Sequence, residues 1–151
     1  MDYLAKYKEW LAYENLDEEL RLELMAISED EQEIRDRFLS DLKFGTGGLR
    51  GILGAGTDRM NVYTVRRATQ GLALYVKEQG GEEKGVGIAY DSRHYSPEFA
   101  LTAARVLAGN GVRVYLFTEL RPTPELSFAV RHLGCAAGIV ITASHNPANY
   151  N

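Results

Sequence analysis

The sequence predicts an α/β protein: a three-layer α/β/α domain with a mainly parallel (mixed) sheet, preceded by an N-terminal helical arm. Three observations predict this class. Residues 85–142 alternate between strand and helix patterns, the strands are apolar along their whole length, and no proline or glycine precedes Gly45. Continuous apolar strands are typical of a parallel sheet that helices cover on both faces. We therefore divide the chain into an arm, residues 1–40, and a domain, residues 41–151.

The arm is predicted to form three helices. Its apolar side chains recur every three or four residues, the spacing of one helix face. They are Leu4, Tyr7 and Leu11 in the first helix, Leu16, Leu20, Leu24 and Ile27 in the second, and Ile34 and Phe38 in the third. Ser28 followed by Glu31 indicates a capping box at the start of the third helix. The first 41 residues carry 13 acidic and 5 basic side chains, as solvated helix faces would.

The domain begins with a glycine-rich segment and continues as alternating helices and strands. Phe44–Asn61 holds six glycines in eighteen residues, and Leu49–Leu53 within it is a candidate short strand. Helices are predicted over Thr64–Gln79, from Ser96 to Gly109 and from Thr123 onwards, and strands over Val86–Tyr90, Val112–Phe117 and Gly138–Thr142. Ser96 and Thr123 are each followed by Pro-Glu, which predicts a hydroxyl cap and a first-turn proline. The apolar face of the last helix is predicted to be Leu126, Ala129, Val130 and Leu133.

Polar residues follow each of the three strands between residues 85 and 142. The strand ends read "YDSRH", "FTELRP" and "TASHNP". The carboxyl ends of parallel strands share one edge of a sheet, and ligands of open α/β sheets gather there. The sequence therefore predicts a functional site at this edge.

Ser144 follows the last predicted strand, within "TASHNP". A serine in such a place is often only a turn or cap residue. The nucleophile of many serine hydrolases lies in the pattern Gly-x-Ser-x-Gly, which this stretch lacks. A Ser-His-Asp triad is therefore poorly supported.

A second candidate stretch is "FGTGGLRG", Phe44–Gly51. Consecutive glycines leave backbone N–H groups free to bind an anion, and Arg50 adds a planar guanidinium suited to phosphate oxygens. The alternative is a glycine-rich turn with a surface arginine. The stretch is neither a Walker loop nor a dinucleotide fingerprint. Together with Ser144, it suggests a serine that handles phosphate.

These two stretches in this order resemble the α-D-phosphohexomutase superfamily, whose members include phosphoglucomutases and phosphomannomutases. The longer text "FGTGGLRGILGAGTDRMNVYTVRRATQGLA" is most similar to the phosphoglucomutase–phosphopentomutase branch. The resemblance covers residues 42–151, which is most of the chain.

The resemblance implies that Ser144 carries a phosphoryl group, gives it to a sugar monophosphate and recovers the other phosphate of the resulting bisphosphate. For glucose this interconverts the 1-phosphate and the 6-phosphate, with glucose 1,6-bisphosphate as intermediate and activator. It also implies one Mg²⁺ per active site, with a phosphate oxygen on Ser144 as a ligand. The alternatives are a phosphopentomutase or phosphomannomutase of the same superfamily, or, from another class, a non-catalytic anion-binding α/β module.

The same resemblance assigns roles to further residues. His145 is implied to help proton transfer to or from the sugar hydroxyl, and Arg50 to lie close to the phosphoserine. Because adjacent side chains usually point apart, we do not expect His145 to act as a simple base on Ser144. Asp91 and Arg93 match a family pattern near the cleft, where we expect a structural ion pair. The implied substrate-binding residues are Thr46, Gly47, Arg50, Ser144, His145 and Asn146.

The chain departs from the family pattern in its extent. Family members have four domains, with the metal loop Asp-Gly-Asp-x-Asp-Arg on the second, and that string does not occur here. We expect this chain to be the first domain of a longer enzyme, with the other Mg²⁺ ligands on the second domain. We also expect it to have no mutase activity alone.

Composition restricts the remaining partners. Residues 42–151 carry 8 acidic and 12 basic side chains without a Lys/Arg-rich run, so we expect no nucleic-acid partner. No apolar run approaches the ~20 residues of a membrane-spanning helix, so we expect no membrane partner. The start "MDYLAKYKEW" has no secretory pattern, and a single cysteine fits a reducing cytoplasm. The expected partner is a phosphorylated sugar, and no feature predicts the oligomeric state.

Overall fold

The computed structural model of the protein describes residues 2–45 and 47–151. These residues divide into two compact units. The first unit extends to Thr64 and includes Tyr150, and the second contains Val65–Asn149 and Asn151. Within the described ranges, no helix combines the length and apolar character needed to cross a membrane.

The first unit contains the three predicted arm helices, which are α1 (Tyr3–Ala12), α2 (Glu18–Ala26) and α3 (Glu31–Phe38). An aspartate caps the amino terminus of each helix by accepting backbone N–H groups. The capping box predicted from Ser28 and Glu31 is wrong. Asp30 caps α3 and accepts from the Glu33 N–H at 3.0 Å, because Ser28 still belongs to the turn that ends α2.

The core of the first unit is formed where the arm helices meet the glycine-rich segment. Its two fully buried large side chains are Phe38 and Leu24, and each contributes about 1.5–3 kcal/mol through the burial of apolar surface. Tyr7 and Trp10 pack edge-on against Phe38, with ring centroids 5.9 and 5.6 Å away. Ala55 belongs to the same buried cluster, so part of the glycine-rich segment packs directly on the arm.

A polar network also joins the arm to Ala55. The Arg37 guanidinium donates to Glu23, to Glu33 at 2.8 Å and to the Ala55 carbonyl at 3.1 Å. Glu23 in turn accepts the Ala55 N–H at 2.9 Å. Burial of Arg37 opposes its charge, but hydrogen bonds and ion pairs with the two glutamates hold its pKa above the ordinary value. Residues around Ala55 therefore have both apolar and ionic anchors on the arm.

The second unit contains the sheet. Helix α4 (Val62–Glu78) precedes β1 (Val86–Tyr90), α5 (Ser96–Gly109), β2 (Val114–Leu116), α6 (Thr123–His132) and β3 (Ala137–Ile141). The three strands are parallel in the order β2-β1-β3, and Val86 lies opposite Val114 and Ala137. The predicted α/β/α class with a parallel sheet is confirmed.

Two strand predictions are corrected. The strand predicted over Val112–Phe117 is confined to Val114–Leu116. The candidate strand Leu49–Leu53 forms only isolated bridges, Ile52 with Tyr150 and Leu53 with Met60. Glycines at both ends of that segment leave few side chains to pack a longer ladder.

The predicted hydroxyl caps of α5 and α6 are also wrong. The cap residues are Tyr95 and Pro122, and neither side chain forms a cap hydrogen bond within the described part of the chain. Ser96 already lies inside α5, and its hydroxyl donates to Asp91 instead. The predicted apolar face of α6 is only partly buried: Leu126 is 6% exposed, whereas Leu133 is 46% exposed.

Candidate active site

The loops that follow β1 and β3 begin side by side, as predicted. Tyr90 and Ile141 are the last paired residues of the two neighbouring strands. The Asp91 N–H continues the ladder by donating to the Ile141 carbonyl at 3.1 Å. The stretch "YDSR" and the stretch "TASHNP" therefore leave the same edge of the sheet.

Ser144 lies at the tip of the loop after β3 in a strained backbone conformation. Its φ is 53°, in the left-handed region, which costs a residue other than glycine about 1–3 kcal/mol. The Ser144 N–H donates to Thr142 Oγ1 at 3.1 Å, and the Asn146 N–H donates to the Ala143 carbonyl at 3.0 Å. Ala143 is fully buried and Ser144 is exposed, so the loop is anchored by one residue and offers the hydroxyl of the next to solvent.

The side chains of Ser144 and His145 meet, contrary to expectation. Ser144 Oγ and His145 Nδ1 are 3.2 Å apart. The expectation assumed extended backbone, in which neighbours alternate, but the left-handed φ of Ser144 turns the two side chains to one side. In the described ranges no carboxylate hydrogen-bonds to His145. Because a Ser-His-Asp triad needs such a carboxylate, the serine-hydrolase alternative receives no support from these residues.

Asp91 and Arg93 both act structurally, but not through the predicted ion pair. Among the described residues, their charged groups form no ion pair with each other. The Asp91 carboxylate accepts the Arg93 N–H and the Ser96 hydroxyl, both at 2.9 Å. The Arg93 guanidinium instead donates to the carbonyls of Ser144, Asn146 and Pro147. These three residues belong to the loop after β3, residues 142–147, which we call the Ser144 loop. Sequence reasoning missed this contact because 51 residues separate Arg93 from Ser144.

Asn146 shares the loop with Ser144 and carries a buried side-chain nitrogen, Nδ2, that has no hydrogen-bond partner among the described residues. Buried donors without partners are rare in folded proteins. Asn146 therefore remains a candidate binding residue.

The glycine-rich stretch lies in the first unit. The Gly45 N–H donates to the Gly48 carbonyl at 2.8 Å, whereas the N–H groups of Gly47 and Gly48 have no partner in the described part of the chain. The Arg50 side chain is exposed and forms no hydrogen bond or ion pair with the described residues. These features suit the predicted anion site, whose proximity to Ser144 stays a prediction. Thr46 lies outside the described residues.

The described side chains do not form a metal site by themselves. No group of three or more His, Cys, Asp or Glu side chains within residues 2–45 and 47–151 could hold a metal ion. A phosphorylated Ser144 would offer one oxygen ligand of the type that Mg²⁺ prefers. Phosphorylated Ser144 would therefore supply one ligand of a Mg²⁺ ion, and the described side chains would not complete its coordination.

The fold and the site define a class: α/β/α domains with a serine loop at the carboxyl edge of a parallel sheet. Residues 41–151 match the family described as phosphoglucomutase/phosphomannomutase, alpha/beta/alpha domain I. The chain belongs to this family.

Relatives from three organisms are similar to the chain. A phosphoglucomutase of Staphylococcus aureus (strain bovine RF122 / ET3-1) is 52% identical over 79% of this chain and 21% of its own length. A phosphoglucomutase of Staphylococcus haemolyticus (strain JCSC1435) is 47% identical over 76% of this chain and 21% of its own length. A crystal structure from Thermus thermophilus, assigned as a phosphomannomutase, has a TM-score of 0.67 and 38% identity over 74% of this chain and 24% of its own. The chain thus spans about a fifth of the length of the curated relatives it matches.

Proposed function

We propose that this chain is the phosphoserine-bearing first domain of a Mg²⁺-dependent phosphohexomutase that acts in the cytoplasm. The proposed reaction interconverts glucose 1-phosphate and glucose 6-phosphate through glucose 1,6-bisphosphate. Ser144 is the proposed phosphoryl carrier, and the chain alone is expected to be inactive. The arm, residues 1–40, is proposed to be an extension of this domain, residues 41–151.

One observation carries this proposal. In a chain of this family, an exposed serine is held at a φ of 53° at the carboxyl edge of the sheet. Strain of this kind persists only where the surroundings hold it, and it is concentrated at functional sites. A turn residue with no role would gain stability by being glycine.

The proposed reaction has two half-steps. In the first, a free sugar hydroxyl bonds to phosphorus as the bond between phosphorus and Ser144 Oγ breaks; the sugar hydroxyl loses its proton to a base, and Ser144 Oγ takes up a proton. In the second, Ser144 Oγ attacks the other phosphate of the bisphosphate and loses its proton, while the bond between that phosphorus and its sugar oxygen breaks and the sugar oxygen takes up a proton. The 3.2 Å contact supports His145 Nδ1 as the acceptor of the Ser144 proton.

The remaining residues are proposed to bind the anionic groups. The N–H groups of Gly47 and Gly48, which have no partner among the described residues, and the exposed Arg50 guanidinium offer donors to a phosphate. Thr46 and Asn146 are proposed substrate contacts. Mg²⁺, when bound, would neutralise charge on the transferring phosphoryl group, with a phosphate oxygen on Ser144 as one ligand and the others outside the described residues.

The test measures turnover of the full-length protein that carries this domain. Ser144→Ala is expected to reduce conversion of glucose 1-phosphate by about 10⁴-fold or more, because it removes the nucleophile. Ser127→Ala is the matched control, since Ser127 is exposed on α6, and it is expected to leave the rate unchanged. Faster conversion of mannose or pentose 1-phosphate would reassign the sugar, and activity retained by Ser144→Ala would contradict the proposal. Activity absent from the wild-type protein with every sugar phosphate would favour the anion-binding module.

A further inference from the structure

Arg93 joins two segments that are far apart in the sequence. Its Nη2 donates to the Ser144 carbonyl at 2.6 Å and to the Asn146 carbonyl at 2.7 Å, and its Nη1 donates to the Pro147 carbonyl at 2.8 Å. Three carbonyls of one short loop thus converge on a single guanidinium. Hydrogen bonds from a charged donor are worth more than neutral ones, so this contact is a strong polar attachment of the loop.

Arg93 is itself held by a partly buried network of hydrogen bonds. Asp91 accepts the Arg93 N–H and the Ser96 hydroxyl, both at 2.9 Å. Ser96 is fully buried at the start of α5. Its Oγ accepts from Asn151 Nδ2 at 2.8 Å, and the same amide donates to the His94 carbonyl at 3.0 Å. The first turn of α5 therefore fixes the backbone from which the guanidinium extends.

The Ser144 loop needs such an attachment. The left-handed φ of Ser144 is unfavourable for a serine, and three carbonyls of the turn lie within hydrogen-bond distance of one guanidinium. A planar guanidinium can satisfy several of these carbonyls at fixed angles, whereas the single nitrogen of a lysine cannot bridge the positions now reached by two nitrogens.

We propose that Arg93 is a positioning residue: by binding the carbonyls of Ser144, Asn146 and Pro147, it holds the turn that orients Ser144 Oγ for phosphoryl transfer. This inference rests on the proposed function for its catalytic consequence. Its structural part, control of the turn, stands on the contacts alone.

The experiment compares the full-length wild-type protein with Arg93→Lys and Arg93→Met. The matched control is Arg113→Lys, which alters an exposed arginine of the same unit that pairs with Glu83. With glucose 1-phosphate and glucose 1,6-bisphosphate, both Arg93 variants are expected to lower kcat about 10- to 100-fold, because small misplacements of a reacting group have effects of this size. KM is expected to stay within about twofold, and the control is expected to match the wild type.

Two further measurements separate positioning from general instability. Hydrogen exchange of the Asn146 amide, which donates to the Ala143 carbonyl, is expected to accelerate at least about tenfold in Arg93→Lys, with the sheet amides unchanged. The ³¹P resonance of phosphorylated Ser144 is expected to shift or broaden in the same variant. The lysine variant retains the positive charge, so it remains informative if Arg93→Met fails to fold.

Each outcome decides the inference. If Arg93→Lys keeps the wild-type kcat and Asn146 exchange, Arg93 does not position the loop. Equal acceleration of exchange across the sheet would also overturn it, because the effect would then be on folding. If the wild-type protein carries no phosphoserine, the proposed function fails, whereas accelerated Asn146 exchange would still establish control of the turn.

Discussion

The Asn61 side chain is expected to hold the glycine-rich segment to the start of α4, and removing it should loosen both. Asn61 is 3% exposed. Its Nδ2 donates to the Gly54 and Gly56 carbonyls at 2.8 and 2.9 Å. Its Oδ1 accepts the N–H groups of Tyr63 and Thr64, both at 3.0 Å. One side chain therefore caps a helix and pairs two carbonyls of the segment that follows Arg50.

The magnitude of the Asn61→Ala effect follows from these contacts. Loss of a helix cap costs about 1 kcal/mol, and leaving carbonyls without a buried partner costs about 1–3 kcal/mol more. A total of about 2–4 kcal/mol corresponds to roughly 30- to 700-fold more frequent local opening, at 1.4 kcal/mol for each tenfold change.

The assay is hydrogen exchange in the full-length protein, read at the amides of Gly54, Met60, Tyr63 and Thr64. Asn61→Asp is a second variant, because it keeps the cap acceptor and loses the donor. It is expected to accelerate exchange at Gly54 and Met60 but much less at Tyr63 and Thr64. Asn15→Ala, at an exposed side chain, is the control. Unchanged exchange in Asn61→Ala would refute the reasoning, because the contacts would then contribute nothing to local stability.

Two further predictions concern Arg50 and the glycines of the second unit. Arg50→Ala is expected to lower kcat/KM for glucose 1-phosphate by less than Ser144→Ala does, since it removes a proposed phosphate contact and not the proposed nucleophile. An unaffected rate, measured with purified full-length protein, would remove Arg50 from the site. Gly85→Ala is expected to lower the melting temperature, because Gly85 has a φ of +76° and a Cβ there would lie 2.6 Å from the Arg113 carbonyl oxygen. The control is Gly109→Ala in α5, where none of the described residues places an atom of the kind that would clash within 4 Å of the added Cβ. It is expected to leave the melting temperature unchanged or raise it, and equal losses in the two variants would show that the clash does not matter.

The main features of the second unit could be predicted from the sequence. The strand Val86–Tyr90 and the helix Ser96–Gly109 have the bounds that the sequence predicts. Apolar runs and the first-turn proline of α5 are local signals, and here tertiary packing agrees with them. The predicted meeting of two polar strand ends at one sheet edge is also confirmed, because register in a parallel sheet follows from the buried strands.

The predictions that were wrong or missing concern side chains whose contacts are set by the folded chain and not by the local sequence pattern. Ser96 has the chemistry of a helix cap, but its hydroxyl bonds to Asp91 across a turn that the local pattern does not reveal. The contact of His145 with Ser144 depends on one left-handed φ, and no residue type other than glycine announces that conformation reliably. The hydrogen bonds from Arg93 to the Ser144 loop link distant segments, so only the folded chain displays them.

The central claim, that Ser144 carries a transferable phosphoryl group, is tested most directly by mass spectrometry. The full-length protein is incubated with glucose 1,6-bisphosphate, digested and mapped for phosphate, with Ser144→Ala treated in parallel. We predict one phosphate on the peptide that contains Ser144, and its disappearance in the variant and on addition of excess glucose 1-phosphate. A peptide that stays unmodified in the wild-type protein, or a phosphate confined to another residue, would contradict the account.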